Sequence, residues 1–233
     1  MQLQIRRFLI FFSLSCIAFT AQAKQQTVTM QQSLQKKLWE YGPASDRTFR
    51  SAFHHAKLTY PPKQLALLIF KKDRKLEVYA RNKRAWHYIK SFHIYAASGV
   101  SGPKLRSGDR QVPEGVYRII GLNPNSRFDL SMHLNYPNAF DRQEARYDHR
   151  QHLGGDIFIH GSNRSIGCVA IGDAGIEKLF PLVAKVGTSD VKVIIAPDDM
   201  RRESIRSSYV HPRWTPQLYR RIRLALRAFP EKV

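Results

Sequence analysis

His160 and Cys168 lie eight positions apart (168 − 160) in the stretch Asp156 to Ile171, DIFIHGSNRSIGCVAI. A thiol attacks carbonyl carbon well only as thiolate, and an imidazole titrating near neutrality is the side chain best suited to accept its proton. The pair therefore reads as a cysteine–histidine acyl-transfer site. If the two side chains converge, a thiolate–imidazolium couple is expected. The imidazole must also be held in one tautomer, and a backbone carbonyl beside Gly161 is the expected holder. The amides of Ile166, Gly167 and Cys168 are candidates for an oxyanion hole, where one donor is typically worth ~3 kcal/mol in the barrier. Glycines at 161 and 167 relieve crowding and let backbone amides approach a reacting carbonyl.

Strand, tight loop and strand must position these groups. Ile157, Phe158 and Ile159 form one apolar run, Ser162 to Ser165 a polar loop, and Val169-Ala170-Ile171 a second run. A metal reading competes, since Asp148, His149, His152, Asp156 and His160 carry donor atoms. Cys168, however, has no nearby second thiol and Gly154-Gly155 disrupts any helix that would align His149 with His152. No metal and no cofactor is expected.

Further from the site, residues 1–23 read as a cleaved secretory signal. Arg6-Arg7 is a basic start, Phe8 to Phe19 a short apolar core, and Ala21-Gln22-Ala23 a fitting cleavage site. The apolar run is too short for a comfortable membrane span. Cleavage would remove Cys16 and leave Cys168 alone, so the exported chain has no internal disulfide and an unpaired thiol to explain. The formal charge of +20 over 233 residues favours acidic envelope polymers, anionic head groups or carboxylate-bearing peptides as partners. Nucleic acid is not expected, because no RNP-like, helix-turn-helix or zinc-finger pattern is present.

Residues 24–63 read as a helical segment and linker. Leu34, Leu38 and Tyr41 predict a short helix stopped by Gly42-Pro43, and Asp46 a cap for a second helix carrying Phe49 and Phe53. Tyr60-Pro61-Pro62 marks a boundary. Residues 64–198 are strand-rich. A hairpin is predicted over Leu65–Phe70 and Leu76–Ala80, and a strand pair or one bent strand over Trp86–Ala97. Strands are expected over Tyr117–Leu122 and Phe128–Leu134, a helix capped by Asp173 and kinked by Pro181, and a last strand over Asp190–Ala196. Ser98 to Val112 and Asn135 to Gly155 are expected as long functional loops. In residues 199–233, Thr215-Pro216 predicts a helix start, with Leu218, Ile222, Ala225 and Phe229 on one face and arginines around it. Such a basic amphipathic helix could lie on an anionic membrane surface or pack on the domain.

His160-Gly161, Ser165-Ile166-Gly167-Cys168 and, upstream, Pro113-Glu114-Gly115-Val116-Tyr117 resemble the L,D-transpeptidase (YkuD-type) catalytic domain family, with the short His-to-Cys loop of its YafK-like branch. The resemblance spans about Gln64 to Asp198. It implies an α+β, mostly β fold: a β-sandwich-like catalytic domain flanked here by N- and C-terminal helices, working in the periplasm. It implies that Cys168 acylates at the third, meso-diamino residue of a peptidoglycan stem peptide, releasing D-alanine, and passes the acyl group to an acceptor amine on a second stem or a wall-linked protein. By the same likeness His160 is the base, the Gly161 carbonyl orients it, and Ser165 shapes the loop. Family members often carry His where this chain has Ile166, and Arg or Asn where it has Ala170. Substrate anchoring is therefore expected from Arg164, Arg127 or Tyr147. The same site could instead hydrolyse, as an L,D-carboxypeptidase or an amidase releasing wall-linked peptides. A non-catalytic wall- or membrane-binding module is the third reading.

Overall fold

The structure is a computed structural model that describes residues 3–201 and 212–231, with side chains from residue 25 onward. The side chains of the expected signal, and residues 202–211 of the expected tail, lie outside that description. Among the described residues no helix is long and apolar enough to cross a membrane. The chain divides into two compact units, Met1–Glu40 and Tyr41–Val233.

Helix α1 (Leu3–His55) runs through Gly42-Pro43 without a break, where the sequence predicts two helices. Proline's ring crowds the Cβ of the residue before it, and Gly42 has none. Packing then outweighs the lost hydrogen bond. Phe49 and Phe53 are fully buried and Ser45 Oγ donates to Lys178 O at 2.7 Å. Asp46 is accordingly no cap; it is an interior residue that accepts from Tyr60 Oη and pairs with Lys185.

Nine strands follow: β1 (Gln64–Phe70), β2 (Lys75–Arg81), β3 (His87–His93), β4 (Ala96–Ala97), β5 (Gly115–Ser126), β6 (Asp129–Leu134), β7 (Phe158–His160), β8 (Val169–Ala170) and β9 (Val191–Ala196). Their order, β3-β2-β1-β9-β5-β6-β7-β8-β4, makes two sheets that share the long β5. The fold is α+β and mostly β. The β1–β2 hairpin is antiparallel, and β1 pairs in parallel with β9 from the far end of the domain. Ala66, Leu68 and Phe70 face one core and the alternate Leu65, Leu67 and Ile69 are equally buried. Cover on both faces is why β1 reads as a continuous apolar run. Between β3 and β4, Ile94 N donates to Arg74 O and Tyr95 N to Ala170 O. The chain crosses there from one sheet to the other.

Three helices complete the domain: α2 (Ala139–Tyr147), α3 (Asp173–Val186) and α4 (Thr215–Leu226). Helix α2 lies within the stretch expected to be a loop. A reciprocal cap starts it, Asn138 Oδ1 accepting from Asp141 N and Asp141 Oδ2 from Asn138 N. Burial pushes the Asp141 carboxyl up to about 6 against the lowering effect of its hydrogen bonds. A carboxyl raised on folding adds stability that is complete below its unfolded value and is lost as pH rises through its folded value. Asp141→Asn keeps the accepting oxygen and removes the charge. Its stability relative to the parent should rise by ~2–3 kcal/mol between pH 4 and pH 7, read by urea unfolding. A flat difference would contradict the assignment.

Asp173 does not cap α3. The cap position is Gly172, and Asp173 is the first helical residue, its Oδ1 accepting from Ser162 N at 2.5 Å. The helix continues through Pro181, which is buried. Trp214, rather than Thr215, precedes α4 at its cap position. The apolar face of α4 is already used: Leu218, Tyr219, Ile222 and Leu226, with Phe229 beyond, pack with Ala66, Leu68, Phe70, Tyr79 and Trp86. Burying four large apolar side chains contributes roughly 6–12 kcal/mol before ordering costs. Insertion of that face into a bilayer would forfeit this, so the expected membrane contact through the apolar face is not what the fold supports.

Candidate active site

β7 and β8 run parallel, with Ile159 opposite Val169 and His160 opposite Ala170. Continuing the register places Cys168 opposite Phe158, so His160 and Cys168 are diagonal neighbours on one face of the strand pair. Strand spacing and rise put their Cα atoms about 8 Å apart, a gap both side chains can reach across. The 161–168 turn loops out between them.

His160 is 2% exposed. Its ring stacks on Phe128 at 4.7 Å between centroids and 30° between planes. Nδ1 lies 2.5 Å from Gly161 O, and since a carbonyl can only accept, Nδ1 carries the proton and Nε2 presents a lone pair. Burial lowers the imidazole's pKa, opposed in part by the Gly161 carbonyl and the Asp173 carboxylate. Gly161 is required sterically. A Cβ there would lie 2.5 Å from Asp173 Oδ1 and 2.6 Å from Phe128 O.

Cys168 is half-buried, and its Sγ donates to Asp156 O at 3.7 Å. Burial raises the thiol; the Phe158 backbone lowers it, the Asp156 carboxylate raises it further and Lys104 lowers it. Among the described residues no hydrogen bond joins the thiol to the imidazole. The expected thiolate–imidazolium couple is therefore not preformed. Both shifts favour the uncharged forms of thiol and imidazole.

Ser165 organises the turn. Its hydroxyl donates to Cys168 O at 2.6 Å and accepts from Gly167 N at 3.2 Å and Cys168 N at 3.0 Å. The two amides expected in an oxyanion hole thus point at Ser165 Oγ in the resting state. Ile166, the third, is 81% exposed beside them. Gly167 has φ +132, a backbone conformation suited to glycine. Arg164 is exposed on the turn. Arg127 rims a hollow of about 530 Å³ shared with Phe128, Ser162, Asn163 and Asp173. Tyr147 is 70% exposed on the last turn of α2. His149 and His152 are exposed, and among the described residues no three His, Cys, Asp or Glu side chains form a group able to hold a metal.

The 98–112 loop is built rather than slack. Asp109 accepts from Lys104 Nζ and from the amides of Leu105, Arg106 and Gln111. The Gln111 side chain donates to Val100 O and Gly102 O and accepts from Val100 N. Beneath it lies a buried ion pair, Lys71 Nζ to Glu114 Oε1 at 2.9 Å; Lys71 also donates to Val100 O and Val112 O, and Glu114 accepts from Gly102 N. Ser98 Oγ, 3.3 Å from Ser165 Oγ, connects this loop to the 161–168 turn. Sequence reading missed Lys71, Phe128, Asp156 and Asp173 as parts of the site. Glu114 inside an apolar stretch was the one visible signal, because a lone acid there needs a buried partner.

The half-buried Cys168 thiol directly before β8 and the backbone-oriented His160 imidazole at the end of β7 thus lie together in a two-sheet α+β domain. Residues 64–195 match the L,D-transpeptidase catalytic domain (YkuD), and the chain belongs to that family. YafK of Escherichia coli (strain K12) is 35% identical over 134 residues, covering 55% of this chain and 52% of its own length, and the same values hold for YafK of strain O157:H7. The chain spans about half the length of these relatives. Among solved structures, the helical cell shape determining protein Pgp2 from Campylobacter jejuni is similar with 25% identity and a TM-score of 0.49, over 62% of this chain and 50% of that one.

Proposed function

We propose that this protein is a periplasmic peptidoglycan L,D-transpeptidase with Cys168 as nucleophile and His160 as base. The observation that carries the reading is the His160 Nδ1 bond to Gly161 O, which leaves Nε2 as an acceptor on the face of the strand pair that holds Cys168. Nε2 takes the thiol proton as Sγ attacks the carbonyl of the meso-diamino residue. The tetrahedral centre collapses, the amide C–N bond breaks, and the imidazolium returns its proton to the departing D-alanine amine. A thioester remains. An acceptor amine then attacks it, losing a proton to His160 and expelling Sγ, which is reprotonated. Family membership supports stem peptides as substrate, and the leader-like residues 1–23 support export.

The test is digestion of purified sacculi with and without a free acceptor amine, followed by muropeptide analysis. New cross-linked or amine-bearing products are expected. Shortened or released peptides alone would assign the site to hydrolysis, and unchanged muropeptides would remove the enzymatic reading.

A further inference from the structure

Two adjoining hollows, of about 340 and 550 Å³, lie where β1, β5 and β9 meet the starts of α2 and α4, and they share Val116, Arg118 and Asn135. Five cations from five elements line them: Arg81, Arg118, Arg142, Lys192 and Arg221. One carboxylate, Asp190, lines the smaller hollow. Some cations elsewhere on the surface pair with acids, as in Lys72–Asp198, Lys185–Asp46 and Arg150–Asp148; what distinguishes these five is that they converge on one groove. Here, among the described residues, none of the five cations makes an ion pair within 4 Å, although Arg142 lies near enough to Asp141, and Arg221 to Glu144, to lower those carboxyls.

Three of the five are nevertheless held in place, each by a group without charge. The Arg81 guanidinium lies 4.5 Å from the Trp86 ring centroid and donates to Gln64 Oε1 at 2.7 Å. Arg221 lies 4.8 Å from the Phe140 ring centroid. Arg142 donates to Pro137 O. Ring faces, an amide and a carbonyl orient a guanidinium without neutralising it, and its remaining N–H donors suit the two oxygens of a carboxylate.

We propose that this groove is a second, non-catalytic binding site for a linear polymer bearing carboxylates, namely the peptidoglycan strand whose stem acylates the thiol; this rests on the substrate class proposed above. Along the strand order, β5 is separated from β8 by β6 and β7, and the groove's part of β5, Val116 to Arg118, pairs with β9 in the other sheet, so the groove is not part of the β7–β8 pair beside the thiol. A strand held there is anchored by stems other than the one reacting. The charge is dispersed over hollows rather than focused at one point, which fits repeated carboxylates along a chain better than a single small anion.

The experiment uses the full chain carrying Cys168→Ala, so that nothing turns over, and measures co-sedimentation with insoluble sacculi over a salt series. Arg81→Gln/Arg118→Gln/Arg221→Gln should weaken sacculus binding about tenfold or more at low salt and flatten its salt dependence. An equal charge removal outside the groove, Lys36→Gln/Arg47→Gln/Lys57→Gln, should change it less than threefold. With Cys168 restored, the groove variant should be acylated by a small soluble tetrapeptide as the parent is. Equal losses in both triple variants, or sacculus binding unchanged by the groove variant, would overturn the proposal. Loss of binding to phosphatidylglycerol vesicles with unchanged sacculus binding would also overturn it, assigning the groove to lipid phosphate. A parent that binds sacculi through the groove yet acylates nothing would sink the transpeptidase reading while leaving the groove intact.

Discussion

Cys168→Ala should form no acyl-enzyme with a carbapenem probe under any condition, measured by intact mass, while its unfolding midpoint stays near that of the parent. His160→Ala should keep the thiol and lose about 10²–10⁴ in acylation rate at pH 7.5. The pH profiles separate a base from a merely packed histidine. Burial holds the His160 imidazole below 6.5 and the Cys168 thiol above 9.0. The parent's rate should therefore fall on its acid side only below pH 6.5, where Nε2 becomes protonated. Without His160 the only route is spontaneous thiol ionisation, so the variant's rate should climb tenfold per pH unit up to and past pH 9. Parallel profiles for the two proteins would mean that His160 does not carry the proton.

Lys71→Met should cost about 3–5 kcal/mol at pH 8, because it strands the Glu114 carboxylate in a buried site. Burial already raises Glu114, and Lys71 is the largest influence lowering it. Removing Lys71 sends the carboxyl higher still. A carboxyl raised on folding stabilises below its unfolded value and ceases to do so as pH rises through its folded value. The variant should thus be closest to the parent near pH 5 and lose ground towards pH 8. Adding Glu114→Gln should restore most of the loss at pH 8. Acylation should fall in the single variant as well, since the pair holds Val100 and Gly102 and, through them, the loop that meets Ser165. A cost under about 1 kcal/mol at pH 8, or one independent of pH, would deny the pair this role.

The strands were legible because each one's pattern is local. Leu130, Met132 and Leu134 alternate and are buried, and β1's unbroken apolar run reports cover on both faces. Helix α2 was not legible. Its nine residues are mostly polar, and its cap uses Asp141 where a Glu or Gln is the usual signal. Gly42-Pro43 misled for the opposite reason, because a strong local stop signal yielded to Phe49 and Phe53 packing. Ser165 was noticed only as part of a resemblance. That its hydroxyl occupies the amides of Gly167 and Cys168 depends on a fold-back of the turn that no spacing rule predicts.

The sequence by itself determined which atoms could do chemistry: one thiol, one imidazole and the glycines that let backbone come close, since these follow from residue type and short-range spacing. Tertiary structure alone decided that burial pushes thiol and imidazole towards their uncharged forms, that Lys71 and Glu114 meet beneath the loop, and that the apolar face of α4 belongs to the core. Those outcomes turn on burial and on partners distant in sequence, and neither quantity exists until the sheets have closed.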